Sequence, residues 1–371
     1  MRFRHIKEPS SMGSYSSDDV IFLLKNISDL IKEQSNEERE FIMQNGGHYS
    51  EMLPIEYFPT EEYMEIFYKT LASTKEKVAK AAAIVGELIY RQKGENAVIV
   101  SLARAGTPIG ILIKRYLEWK YKKKFSHYSI SIIRGKGIDE NALKYILNRH
   151  NPQDIQFVDG WTGKGAINEV LNKATSDFYD KYGIRISEKL AVLADPAHCV
   201  ELYGTREDFL IPSACLNSTV SGLVSRTVLR DDIIGENDFH GAKYYKEWLD
   251  KDVSGAFIDT ITERFSNIAI MEKDIENIEG KVYNKGIKEV TEIKEKYNIR
   301  DINLVKPGVG ETTRVLLRRV PWKILVDDIN NPNLKHILIL AEDKKVPVEV
   351  YKDMSYSCCG LIKSKAKESV K

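Results

Sequence analysis

A chain of 371 residues, 43% of them hydrophobic, has the apolar material for a real core and more length than one compact domain usually holds. A formal net charge of +1 gives no global attraction to a polyanion, so any nucleic-acid surface has to be local. Four cysteines (Cys199, Cys215, Cys358 and Cys359) make no disulfide framework at this length and no C-x-x-C zinc pattern; with no signal-like or membrane-spanning apolar run, a cytoplasmic protein is expected.

The first 17 residues are rich in Ser and Gly, and Ser16-Ser17-Asp18-Asp19 suits a helix N-cap before Val20–Leu24. Gly46–Pro54 is loop-like, and a helical pattern runs from Pro59-Thr60 to Tyr90. Strands and helices then alternate: strand 97–102, helix 109–121, strand 128–133, helix 139–149, strand 155–158, helix 166–182, strand 190–194. That order predicts an α/β fold with a parallel sheet, helices on both faces, and ligands at the carboxyl ends of the strands.

The turn after Asp159 carries the strongest chemical signal. Gly160-Trp161-Thr162-Gly163-Lys164-Gly165 joins a short buried strand to a helix that begins at Ala166. Side chains are missing where backbone N–H groups must close on a phosphate, and the helix dipole adds about 0.3–2 kcal/mol. Thr162 can donate to a phosphate oxygen, and Asp159 can hold a ribose hydroxyl or a Mg²⁺ ion through water. A P-loop competes for this turn but fits less well, because Gly160 and Gly163 are too close together and Gly165 supplies no hydroxyl for Mg²⁺. A similar unit lies upstream, where Ala103-Arg104-Ala105-Gly106-Thr107-Pro108 follows an apolar strand and enters a helix.

In this order the two turns resemble the pyrophosphate loop and the PRPP-binding motif of type I phosphoribosyltransferases. The resemblance implies the fold of those enzymes and joining of a nitrogen nucleophile to C1 of PRPP, or the reverse. It implies that Arg104 faces the pyrophosphate while Ala105, Gly106 and Thr107 admit it to the backbone. Thr162, Gly163, Lys164 and Gly165 would anchor the 5′-phosphate, and Asp159 would steady the ribose or Mg²⁺. Arg134 and Lys136 fall where these enzymes carry a mobile loop. Asp195, after the strand Leu190–Leu193, and the polar run Asn217, Ser218, Thr219 and Ser221 at the start of an expected apolar helix are candidates for base recognition.

Ile268, Met271, Ile275, Ile278, Val282, Ile287, Val290 and Ile293 recur at helical spacing and read as a helical linker over 266–298, dividing a domain 1–265 from a domain 299–371. The last domain has 13 Lys+Arg against 9 Asp+Glu over 301–371, so the basic excess is concentrated there. Its pattern is a strand near Leu304, a glycine turn, a helix 313–319, a strand 323–326, a helix near 334–342 and a strand near 346–351. Gly308-Val-Gly-Glu-Thr-Thr-Arg314, Ala341–Val348 and Cys358–Ile362 resemble, in order, segments of the Pelota and kink-turn-binding ribosomal protein fold. That implies RNA contacts by Gly308, Glu311 and Arg314.

Both halves together, with Gly13–Asp19 and His48–Pro54, resemble the phosphoribosyltransferases encoded with bacterial tellurium-resistance and stress-response clusters. The resemblance implies as partners PRPP, a base-like small molecule and structured RNA; it admits a homodimer and involves no membrane. A cysteine hydrolase is the rival reading. Cys215 in Pro212-Ser-Ala-Cys-Leu216 would precede a helix, whose dipole favours thiolate, with His48, His198 or His240 as base. A non-catalytic PRPP- and RNA-binding protein is a further alternative.

Overall fold

The structure, a computed structural model, describes residues 3–276, 284–318 and 321–362. Two small ribbons involve the N-terminal extension: Lys25–Asn26 (β2) pairs with Gly241–Ala242 (β11), and Glu33–Gln34 (β3) with Leu53–Pro54 (β4). The central sheet contains Ile21–Leu23 (β1), Val98–Ala103 (β5), Ser126–Ile133 (β6), Gly137–Ile138 (β7), Ile155–Trp161 (β8), Leu190–Ala194 (β9) and Leu202–Thr205 (β10). Its order is β1-β6-β5-β8-β9-β10, parallel throughout, with β7 antiparallel against β6. Val-Ile-Val-Ser-Leu in β5 and Leu-Ala-Val-Leu-Ala in β9 are buried on both faces, as a parallel sheet covered on both sides requires.

The helices are Asn36–Gln44 (α1), Glu61–Lys93 (α2), Gly106–Tyr121 (α3), Glu140–Leu147 (α4), Ala166–Tyr182 (α5), Pro212–Cys215 (α6), Ser254–Thr262 (α7), Glu272–Glu276 (α8), Lys285–Lys296 (α9), Val309–Arg318 (α10) and Lys335–Asp343 (α11). From β5 the chain steps to β6 on one side and then to β8 on the other. The sheet order therefore reverses between β5 and β8, and a crevice lies outside their carboxyl ends. Gly106 is required there: a Cβ would stand 2.6 Å from the Val158 carbonyl oxygen, so only glycine lets α3 start this close to β8.

Two expected elements differ. Val20–Leu24 is not a capped helix; Ile21–Leu23 pairs with Tyr128–Ile130 at the sheet edge, where its apolar side chains find a partner surface that a local pattern does not show. The apolar helix expected after Asn217 is absent, because Ser218–Val220 is only a 3-10 turn and the following residues pack in turns against the core. In the linker, α8 and α9 are observed, while Ile278 and Val282 lie outside the described residues.

The C-terminal sheet is Val305–Pro307 (β12), Lys323–Val326 (β13), Val348–Val350 (β14) and Cys358–Leu361 (β15), in the order β12-β15-β13-β14. It shares one continuous hydrophobic cluster with the N-terminal part. The buried Asp208 carboxylate accepts the Val309 N–H at 3.0 Å and the Ser357 N–H at 2.8 Å, and Tyr356 donates to the Gly163 carbonyl at 2.6 Å. Asp208→Ala would orphan two buried N–H donors and should cost about 2–5 kcal/mol. Urea unfolding checks this; a loss under about 0.5 kcal/mol would mean that these bonds do not hold the domains together.

Candidate active site

At the carboxyl end of β5, Arg104 donates to the Val224 carbonyl at 3.2 Å and pairs with Glu56 at 3.5 Å. Glu56 also accepts the Ser218 N–H at 3.1 Å. Burial opposes its charge, but Arg104 and the Ser218 hydrogen bonds win and hold Glu56 below its ordinary range. Ala105 packs its carbonyl against Gly160, and the Thr107 hydroxyl, fully buried, pairs with Ser129 at 2.7 Å. The loop expected to open onto an anion is thus largely occupied by its own neighbours.

The β8 turn is likewise engaged. Thr162 donates to Asp195, which is fully buried and also accepts the N–H groups of Cys199 and Val200, each at 3.1 Å, and the Arg206 guanidinium. Lys164 donates to the Ile302 carbonyl, and burial lowers its pKa to about 8. Gly165 begins α5 at φ +83°, a left-handed conformation that suits glycine. Asp159 accepts the Gly160 N–H at 2.7 Å, and burial pushes its carboxyl up to about 7. Asp159, Arg134, Trp161, Lys164, Lys306 and Glu311 line a cleft of about 290 Å³ between the domains. The structure therefore brings Asp159, the 162–165 turn and Glu311 together, sends Arg104 to Glu56, and buries Asp195 beneath the turn.

All four cysteines are reduced and buried. Cys358 and Cys359 lie on β15. The Cys199 thiol faces Asp195 at 3.6 Å; burial, then that carboxylate, push it up to about 12. Cys215 ends α6 rather than preceding a helix, so the helix end beside it presents carbonyls and gives no dipole support to a thiolate. Burial pushes Cys215 up to about 12 as well, but here the neighbours, the Arg314 guanidinium and the Thr70 hydroxyl, pull the other way. Arg314, on α10, donates to the Ala214 carbonyl at 2.8 Å. On either side of Cys215, the Ser213 and Thr219 hydroxyls are buried with no hydrogen-bond partner among the described residues. Of the histidines weighed as bases, His240 pairs with Ser131 at 2.8 Å and gives its N–H to Asp139, His198 adjoins Cys199, and His48 pairs with Ser50 at 2.8 Å and stacks on Tyr49. Glu56 and Thr70 were not legible as site residues; each sits in an unremarkable run, and only the fold brings them to this corner.

Comparison with known proteins tests the transferase reading. A family model described as tellurite-like stress resistance cysteine protease StiP matches residues 13–262. The chain is also 34% identical over 352 residues to the cysteine protease StiP of Acinetobacter baylyi (strain ATCC 33305 / BD413 / ADP1), covering 92% of this chain and 91% of that relative. This chain belongs to the StiP family. The phosphoribosyltransferase resemblance is thereby corrected, and with it the transferase reaction and PRPP as a partner: a glycine turn opening a helix is shared by many α/β folds and names no substrate. The link to tellurite and stress resistance stands in the family description. Residues 284–364 match a model of the PELOTA RNA binding domain, in agreement with the C-terminal resemblance. Mg²⁺ was expected only as the counter-ion of PRPP, and among the described residues no group of three His, Cys, Asp or Glu is placed to hold a metal ion. No helix of the described residues is long and apolar enough to cross a membrane.

Asp159 gives this StiP-family chain a measurable pH dependence. Its folded pKa of about 7 lies above the ordinary carboxylate value, so the stability it contributes is complete below about pH 4 and is lost as pH rises through 7. Asp159→Asn keeps an acceptor for Gly160 and removes the charge. Its melting temperature should gain on the wild type between about pH 4 and 7 and level off above that; parallel pH profiles for the two proteins would refute the assignment.

Proposed function

We propose that this chain is a cysteine peptidase with Cys215 as its nucleophile. The observation that carries the assignment is electrostatic. The StiP match covers only Cys199 and Cys215 among the four cysteines; each has a hydroxyl and a guanidinium beside it, but Cys199 also faces the Asp195 carboxylate, whereas Cys215 faces no such carboxylate among the described residues. Positive charge beside a thiol favours the thiolate that attacks a peptide carbonyl; a carboxylate opposes it. In this reading the Cys215 sulfur bonds to the carbonyl carbon, the C–N bond breaks, the amine leaves with a proton, and water then hydrolyses the thioester. The proton taken from the thiol is expected to go to a histidine, with His48, His198 and His240 as the candidates.

Cys215 is fully buried under α10, with its thiol held neutral, so this conformation is a closed one and substrate entry requires α10 to part from α6. Cys215→Ala should abolish peptide hydrolysis, whereas Cys199→Ala should keep it within a few fold. The reverse ranking on folded, purified variants would transfer the role to Cys199.

A second activity, RNA binding by the C-terminal domain, is supported by the PELOTA match and by the basic excess after residue 300. Gly308, Glu311 and Arg314 lie on the face turned toward the N-terminal domain, where Gly308 adjoins Asp208 and Arg314 pairs with Glu311 at 3.6 Å. RNA that uses Arg314 must displace its bond to Ala214. In the full chain, Arg314→Ala should lower the slope of log affinity against log salt by about one or less. An unchanged slope would remove Arg314 from the RNA contacts.

A further inference from the structure

The peptidase chemistry leaves unused the cleft between the two domains, about 290 Å³ in volume. One wall comes from the ends of β6 and β8 and the turn after β8, with Arg134, Asp159, Trp161 and Lys164. The other comes from the segment that matches the RNA binding domain, with Lys306 on β12 and Glu311 on α10. Val305 and Pro307 are buried on one face of β12, so the side chain of Lys306 between them points the other way, into the cleft.

Three cations therefore converge on one space. Lys164 spends one of its three donors on the Ile302 carbonyl. Arg134 is exposed and Lys306 partly so, and among the described residues neither side chain has a hydrogen bond or ion pair. The two acids of the cleft do not neutralise them. Glu311 pairs with Arg314 at 3.6 Å, and Asp159 accepts the Gly160 N–H while burial raises its carboxyl to about 7. Unpaired cations between protein walls concentrate their field in the cleft and draw in an anion.

Trp161 narrows the class of anion. It lines the same cleft, partly buried, with the Arg314 guanidinium 5.3 Å from its ring centroid. An aromatic ring among cations suits an unpaired nucleotide, because the base stacks on the ring while the cations meet the phosphate. An inorganic anion or a carboxylate makes no use of the ring. We propose that this cleft holds one unpaired nucleotide of an RNA chain, its base against Trp161 and its phosphate among Arg134, Lys164 and Lys306. The proposal rests on the RNA-binding reading of the C-terminal domain and adds to it a wall supplied by the N-terminal domain. A free mononucleotide offers the same chemistry, so the probes separate the two sources.

The test uses the full-length protein with a short fluorescein-labelled single-stranded RNA of degenerate sequence, a blunt RNA duplex of the same length, free 5′-mononucleotides and an oligo-glutamate peptide. Anisotropy reads affinity, and tryptophan emission reads stacking. The single strand should bind at least about tenfold more tightly than the duplex and quench tryptophan emission. Trp161→Phe should lose that quenching, since Trp119, Trp248 and Trp322 lie outside the cleft. Trp161→Ala should weaken binding about tenfold and leave the salt slope unchanged, whereas Arg134→Ala and Lys306→Ala should each lower that slope by about 0.7. Circular dichroism confirms that each variant is folded. RNA binding that ignores all these variants would overturn the cleft and leave the RNA-binding reading standing. No binding of any RNA would sink that reading and the cleft with it. Equal affinity for the duplex would remove the unpaired nucleotide. Equal quenching by free mononucleotides, or by oligo-glutamate, would overturn the proposal by assigning the space to a small phosphate metabolite or to an acidic peptide.

Discussion

Asp208 lies buried between the two domains, and its carboxylate accepts the N–H groups of Val309 and Ser357. An acid taken out of water must be met by donors of fixed geometry, and here the main chain at the start of α10 supplies one of them. The Ser357 hydroxyl completes the joint by donating to the Asp208 carbonyl at 3.0 Å. Once α10 is seated this way, Arg314 falls on the Ala214 carbonyl and Gly310 comes within contact of Ala214. The position of the Cys215 segment thus depends on bonds that join positions 101 and 149 residues apart in the chain.

The same seating explains why a cysteine with favourable neighbours is nonetheless neutral. Desolvation of Cys215 outweighs the attraction of Arg314 and the Thr70 hydroxyl, so the buried sulfur is a thiol rather than a thiolate. Opening would return water to the sulfur and remove most of the burial penalty; the fate of the Arg314 contact then depends on how far α10 moves. A domain that matches an RNA-binding module therefore sits directly on the segment assigned to peptide cleavage.

The sheet was legible because its cause is local. Val-Ile-Val-Ser-Leu and Leu-Ala-Val-Leu-Ala can be buried on both faces only in a covered parallel sheet, and the helical patterns between them leave little choice of connection. The edge strand β1 was misread as a helix because three apolar residues after Ser-Ser-Asp-Asp fit a capped helix as well as a strand. The site was misread for a related reason. Gly160–Gly165 has the composition of a phosphate turn, yet Thr162 is spent on Asp195 and Lys164 on Ile302, and composition does not show how a hydroxyl or an ammonium is used.

Sequence alone determined the α/β class, the alternation of strands and helices from residue 97 to 194, the second basic domain with its Pelota-like segments, and Cys215 as the candidate nucleophile of a rival hydrolase reading. Tertiary structure decided the partners: Arg104 with Glu56, Thr162 with Asp195, and Arg314 with Ala214. It also decided that Cys215 closes a helix instead of opening one. The division has a physical basis. Secondary structure follows from periodic burial and backbone preference within a few residues, whereas a charge takes its meaning from groups that only packing brings beside it, and that packing joins positions far apart in the chain.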